Sequence, residues 1–291
     1  MLPYLLTSGL TSGALYALVA IGLVVVYRST GHINFAHGEF FMIGGFFAYS
    51  MITMLGFPYL LSLVLAVPLS FCLGAVCDRA VFRPLMKAPG TTIVLATVGL
   101  SYLLKGVGRY VWGGKGEYIS IKSIVDPAPF LVWGMPVLPQ QLIVFGAAML
   151  CMLGFFAFFR WTIAGKMMQA TAESAFASYL AGIRVERVYT LTWGVGAAVA
   201  GVAAVLMAPL TLLTPDIGSG LLIKAFAATI LGGLGSMSGA LVGGLLVGLC
   251  ESLIGGYIDS SLQEVAAFII IMIVLVFRPS GLFGAYGVRR A

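Results

Sequence analysis

Apolar runs of about twenty residues, nearly free of charge, recur along the whole chain, and no water-soluble fold accommodates them. A membrane-spanning helix needs roughly 20 such residues to cross the hydrocarbon core. The runs cover residues 3–27, 38–55, 58–77, 91–112, 140–160, 188–213 and 263–278. The first has no charged leading region and is too long for the apolar segment of a signal peptide, so it reads as a span. The stretch 221–257 is equally apolar but is broken by Gly232, Gly233, Gly235 and Gly239, and its length suits two short or half-length helices joined by a glycine turn. Of 291 residues, 60% are hydrophobic and 9% charged, against about a quarter charged in soluble domains, so lipid must solvate part of the surface. The expectation is an all-α, polytopic helical membrane protein with about eight transmembrane elements in a single domain over 1–291. No internal repeat, low-complexity segment or dividing linker is evident in the sequence.

Basic residues set the sidedness, because cytoplasmic loops carry an excess of Lys and Arg. Arg79, Arg83 and Lys87 follow the third run, Arg160, Lys166, Arg184 and Arg187 surround the loop after the fifth, and Arg278, Arg289 and Arg290 end the chain. All three groups share one side only if 221–257 enters and returns, which its glycine break permits. The turn with Asp259 and Glu264 then faces outward. One region conflicts with this pattern. The loop 113–139 should be external, yet it holds Lys115 and Lys122, with Lys105 and Arg109 just before it. Long stems reaching to the outer interface would reconcile the last two.

The net charge of +6 arises from few charges, with no basic cluster interleaved with aromatics, so nucleic-acid binding is not expected. Cys72, Cys77, Cys151 and Cys250 lie in apolar runs without metal-ligand or disulfide spacing. No phosphate-binding G-x-x-x-x-G-K-[ST] loop, no serine–histidine–aspartate set and no dinucleotide fingerprint occurs. Neither catalytic nor metal residues are therefore assigned. Few carboxylates lie within the apolar runs, Glu251 being the clearest, whereas an ion-coupled carrier usually places more charge at mid-membrane.

Three segments carry functional potential. The first, 31–40, places Asn34, Phe35, His37 and Glu39 between two apolar runs. Polar groups at membrane depth are costly and often functional, but a short cytoplasmic turn with Asn34 as a helix cap explains them equally well. His37 and Glu39 do not share a helix face, which argues against a metal pair. The second, about 165–183, reads as one short alanine-rich helix between Gly165 and the stop at Gly182, too polar to span, with Lys166, Thr171, Ala172, Glu173 and Ala175 available to dock in a groove of another protein. An amphipathic helix on the membrane surface is the alternative. The third is the break at Gly232, Gly233, Gly235 and Ser236, where half-helix ends expose backbone groups suited to a polar ligand or a gate. A plain tight turn is the alternative.

These segments also resemble a known family. Gly13-Ala14-Leu15-Tyr16-Ala17-Leu18 followed by 31–40, the loop 165–183, the run from Lys224 through Leu231-Gly232-Gly233-Leu234-Gly235-Ser236 to Gly239-Ala240, and the closing Arg278-Pro279-Ser280-Gly281-Leu282-Phe283-Gly284 resemble the permease subunits of ABC importers for branched-chain amino acids, the Liv type. The stretch Ile33-Asn34-Phe35-Ala36-His37-Gly38-Glu39 is nearer the H-type than the M-type subunit. The resemblance implies uptake rather than enzymatic activity. It implies a second, M-type permease subunit, two cytoplasmic ATPase subunits carrying ATP and Mg, an external binding protein, and residence in the bacterial cytoplasmic (inner) membrane. It makes 165–183 the segment coupled to the ATPase, and it suits a solute path near Asn34, Phe35, His37, Glu39 and the 232–236 turn. Relatives of the type also carry urea, amides and aromatic acids. The reading from a different class is a self-sufficient channel or secondary carrier for a small polar solute such as urea or an amide.

Overall fold

The computed structural model describes residues 1–86, 88–113, 119–121, 128–132 and 135–284. Lys87, Lys115, Lys122, Arg289 and Arg290 lie outside the described residues. The described chain is helical: α1 (Leu2–Thr30), α2 (His37–Tyr49), α3 (Tyr59–Cys77), α4 (Gly90–Trp112), α5 (Pro139–Trp161), α6 (Ile163–Glu173), α7 (Ala175–Leu180), α8 (Val185–Met207), α9 (Ile217–Gly232), α10 (Met237–Tyr257) and α11 (Leu262–Phe277). Single π-helical turns extend α2 through Ser50–Met54 and α3 through Asp78–Phe82. The external loop adds a small antiparallel hairpin, β1 (Phe130–Val132) and β2 (Met135–Val137).

Six helices, α1, α3 with its π turn, α4, α5, α8 and α10, are long and apolar enough to cross a membrane, and α9 and α11 are shorter apolar helices. The glycine break falls where expected, but the flanking helices are not two halves. α10 is a full 21-residue span, while α9 is a shorter, 16-residue helix that begins at Ile217, ahead of the expected start at 221. The run 188–213 likewise ends early, because α8 stops at Met207 and the chain then turns.

Helix α1 is the axis of the bundle, with residues 13–26 all buried. It runs antiparallel to α10. Gly13 meets Gly244 and Leu245, Gly244 meets Ala17, and Gly248 meets Gly9 and Gly13, at distances that leave no room for a Cβ. Small residues permit such approach where lipid supplies no hydrophobic drive between helices. α3 packs on α8 in the same antiparallel manner, with Gly74 against Trp193 and Ala197, and Gly201 against Ser70.

The two packings are halves of one pattern. α1 sits on α9 and α10 as α8 sits on α2 and α3, while α4 covers α2 as α11 covers α9. α1 and α8 run in opposite directions, as Leu18 neighbours Val199 and Val202 while Gly22 and Val26 lie against Gly196. Helices α1–α4 and α8–α11 therefore form an inverted repeat with α5–α7 inserted between the halves. The same spacing separates Ala17 from Gly38 and Ala197 from Gly218. No repeat is legible in the residues, because the packing preserves size and spacing rather than identity.

The repeat places two broken elements back to back. His37, the first residue of α2, bonds through a ring nitrogen to the Val19 carbonyl, so the segment after Gly31 climbs about 16 Å along α1 before helix resumes. α9 begins beside it. A Cβ on Gly38 or Gly218 would overlap the other's backbone carbonyl. The N-termini of α2 and α9 thus meet within the bundle.

Arg28, Arg79, Arg83, Arg160, Lys166, Arg184, Arg187 and Arg278 gather at one end of the bundle, which the positive-inside rule assigns to the cytoplasm. Lys105 and Arg109, expected to reach toward the outer interface, both pair with Asp216, at 3.1 and 2.8 Å. Ser236→Cys is expected to react with a membrane-impermeant thiol reagent only from the cytoplasmic side and Asp259→Cys only from outside; reaction of both from one side would refute the α9–α10 hairpin.

Candidate functional site

Helices α9 and α11 present one shared face to two cavities. On the outer half, a cavity of about 390 Å³ is lined by Gly220, Ile223 and Lys224 of α9 and by Glu264 and Phe268 of α11. On the cytoplasmic half, a cavity of about 910 Å³ is lined by Ile230 and Leu234 beyond it on one side and Leu275 and Pro279 on the other. The positions follow three- and four-residue steps along each helix, so one stripe of each serves both ends.

The sequence-derived path residues divide between cavity and core. Gly235 and Ser236 line the cytoplasmic cavity, together with Ile33 of the re-entrant segment. Phe35 is bound through its N–H to Thr97 Oγ1, and its ring lies 5.6 Å from Phe226, itself in the cavity wall. Asn34 is buried and accepts the Ala36 N–H through Oδ1 at 2.9 Å, an Asx turn that starts α2. His37 is fully enclosed, with Gly22 leaving space for its ring. Glu39 is 1% exposed, near Ser101 Oγ (3.3 Å) and Lys105 Nζ (3.9 Å), in the first turn of α2 where the helix dipole favours an anion. His37 and Glu39 form no metal site, and no metal-ligand cluster occurs among the described residues.

Gly232 and Gly233 serve the turn itself. Gly232 meets the backbone of Gly239, and Gly233 has φ 104°, a left-handed value that favours glycine. Below them the tail closes the helix end: Leu282 and Phe283 donate their N–H groups to the Leu231 and Gly232 carbonyls. The closing motif and the glycine motif are thus one structure, a helix C-terminus and its cap. Ser236 begins α10 by accepting the Gly239 N–H at 3.0 Å.

The segment 165–183 departs from the single helix expected. It is two, α6 and α7, because Ser174 adopts an extended conformation and accepts the Ala177 N–H, starting a new helix. Gly165 lies against the backbone of Phe158 and Phe159, Thr171 is buried, and Gly182 closes α7 with φ 83°. Lys166 and Glu173 are exposed while Ala172 and Ala175 are half-buried. What projects instead is Phe176, Tyr179 and Leu180, each about 70% exposed. Alanine content hid this face, since three large side chains in six residues show no long periodicity.

Two charge clusters escaped the sequence reading. Lys224 Nζ contacts Glu251 Oε1 and the Tyr16 hydroxyl. The signal was present, because the lysine and the carboxylate stand on opposite sides of the glycine break in 221–257 and require each other. Asp216, outside the helices and half-exposed, joins Arg109 and Lys105 across the outer ends of α4 and α9. The Arg109 hydrogen bond first, then Lys105, holds its carboxyl below the usual carboxylate range. Exposed pairs of this kind contribute on the order of 1 kcal/mol or less each.

Lys224→Met is expected to lower stability by about 3–5 kcal/mol by stranding Glu251, with most of the loss recovered in Lys224→Met/Glu251→Met, as read by thermal unfolding of the purified protein. The Asp216 contribution has the opposite pH limit from a histidine: with a depressed folded-state pKa it is complete above the unfolded value of about 3.9 and fades as pH falls through the lower folded value. The difference in melting temperature between wild type and Asp216→Asn should stay constant from about pH 8 to pH 5 and shrink only in stronger acid.

Comparison with known proteins places the whole bundle. Residues 5–277 match the family described as "Branched-chain amino acid transport system / permease component". The chain is 34% identical to the high-affinity branched-chain amino acid transport system permease protein BraD of Pseudomonas aeruginosa, over 96% of this chain and 94% of the relative. It is 32% identical to the permease protein LivH of the corresponding system of Escherichia coli, over 95% and 94%. It is 29% identical to a probable LivH of Methanocaldococcus jannaschii, over 93% and 89%. No solved structure matches. A helical bundle with a cavity at each end of one helix pair, matched almost end to end by transport permeases, belongs to the branched-chain amino acid transport system permease family.

Proposed function

We propose that this chain is the membrane-spanning permease subunit of an ATP-driven importer for branched-chain amino acids. The observation that carries the reading is the shared α9–α11 face, which lines a cavity on each half of the membrane in a chain of this family. Solute enters from the outer cavity and leaves through the cytoplasmic one. The path is completed by a second, M-type permease subunit against the same face, with Phe35, Gly235 and Ser236 at the inner mouth. Asn34, His37, Glu39, Gly232 and Gly233 hold the two helix breaks that shape it. Such breaks suit a solute path because irregular backbone at membrane depth needs protein or water around it.

The driving energy comes from two cytoplasmic ATPase subunits that hold ATP and Mg, and the solute from an external binding protein, in the bacterial cytoplasmic membrane. The segment 165–183 is the contact with the ATPase. α6 is anchored by buried Gly165, Met168 and Thr171, while α7 offers Phe176, Tyr179 and Leu180 at the cytoplasmic end. An exposed apolar cluster of this kind marks an interaction surface. Its anchorage to α1, α5 and α8 supports transmission of movement into the core of the bundle.

Leucine uptake into inside-loaded vesicles is expected to require both internal ATP and the binding protein. Uptake that equilibrates without ATP would refute the importer reading and favour a self-sufficient channel. Phe176→Ala with Tyr179→Ala should cut ATPase association and coupled hydrolysis by about ten-fold or more, as a buried aromatic pair commonly dominates an interface. Full association in that variant would move the contact elsewhere.

A further inference from the structure

We propose that the outer cavity is a binding site for a zwitterionic α-amino acid with an aliphatic side chain, Lys224 receiving its carboxylate and Glu264 its ammonium. This rests on the importer reading above and names the point in the membrane bundle where the solute is recognised.

The chemistry of the walls carries the inference. The Lys224 ammonium has three protons. Glu251 Oε1 and the Tyr16 hydroxyl take two, which fixes the head group and leaves the third for a ligand. Lys224 lines the cavity, with its side chain 22% exposed there. Glu264 stands in the first turn of α11 and lines the cavity, and among the described residues it has no ion-pair partner. Much of the remaining lining is apolar, including Ile217, Leu221, Ile223 and Phe268. A cavity of about 390 Å³ lies at the small end of ligand sites, which run from about 300 to 1,000 Å³.

The charge at the cavity adds selectivity. Lys224 with its buried partner Glu251, and Glu264 in the wall, sum to one negative charge. A bare carboxylic acid is therefore disfavoured, a bare amine lacks the contact to Lys224, and the zwitterion satisfies both ends. The cytoplasmic cavity does not share this character. Its charged lining is Arg28, Arg160 and Lys166 without a carboxylate, so it offers an ammonium group no partner and suits release rather than recognition.

The test uses the complete complex with its partner subunits in lipid nanodiscs and the diazirine analogue of L-leucine as probe. Light is expected to attach the probe to peptides carrying 217–224 and 264–268. L-leucine should displace it at least ten-fold more effectively than 4-methylpentanoate, which lacks the ammonium, or 3-methylbutylamine, which lacks the carboxylate. Glu264→Gln, an exposed substitution without a partner to strand, should weaken displacement by leucine about ten-fold and narrow the gap between leucine and 4-methylpentanoate. Lys224→Met/Glu251→Met, which leaves no unpaired charge, should narrow the gap between leucine and 3-methylbutylamine instead. Labelling confined to other segments, no labelling of the complex, or unchanged preferences in both variants would overturn the site. If wild-type vesicles still import leucine with ATP and binding protein in that event, the importer reading stands and only the site falls. If they import no amino acid, the importer reading itself fails.

Discussion

Two helices of this bundle begin inside it, and the rest of the structure is arranged to make that tolerable. Backbone donors and acceptors cannot be left facing hydrocarbon, where each costs several kcal/mol. The segments before α2 and α9 are irregular, so their backbone groups need protein or water around them. α1 and α8 supply most of that enclosure and are the most buried of the six long apolar helices. The Gly38–Gly218 approach then brings the two helix starts together. Their N-terminal partial charges lie near Glu39 and Asp216, and the lysine and arginine of α4 bind those carboxylates in turn.

Close backbone approach is the second requirement, and glycine position is its instrument. Where α1 crosses α10, and α3 crosses α8, glycines sit opposite one another or opposite alanine and serine. Tight antiparallel pairs of this kind leave the remaining helices, α4, α5 and α11, with broad exposed apolar faces such as Leu103, Leu150 and Met272. Those faces are available to lipid and to other subunits. The inverted repeat gives both halves of the molecule the same economy, and it accounts for the broken helix appearing once in each half of the chain.

Helix α9 joins fold and transport. Its start is held by α2, its middle carries Lys224 to Glu251 of α10 and Tyr16 of α1, and its end is capped by the tail after α11. Movement of α9 against α1 would open or close both cavities, since its stripe lines each of them. A rigid-body shift of one repeat against the other is the type of motion such architectures support. The anchored pair α6 and α7 lies at the cytoplasmic end of α1, α5 and α8, where a push from outside the membrane would enter.

Much of this was legible in the residues alone. Apolar runs determine the spans, because the hydrocarbon thickness demands a fixed helix length. Arginine and lysine placement determines which end faces the cytoplasm, and glycines determine where helices stop, as at Gly182 and Gly233. Order along the chain carried the family. Only the tertiary structure decided that α9 starts within the bundle, that Ser174 splits the docking segment, that His37 is enclosed while Ser236 faces a cavity, and that Lys224 answers Glu251. The physical reason is common to all four. Helix length and sidedness follow from local composition against a uniform solvent, whereas burial and charge pairing depend on which distant segment packs alongside. Here that partner is chosen by inverted-repeat packing, which constrains side-chain size and leaves little trace in residue identity.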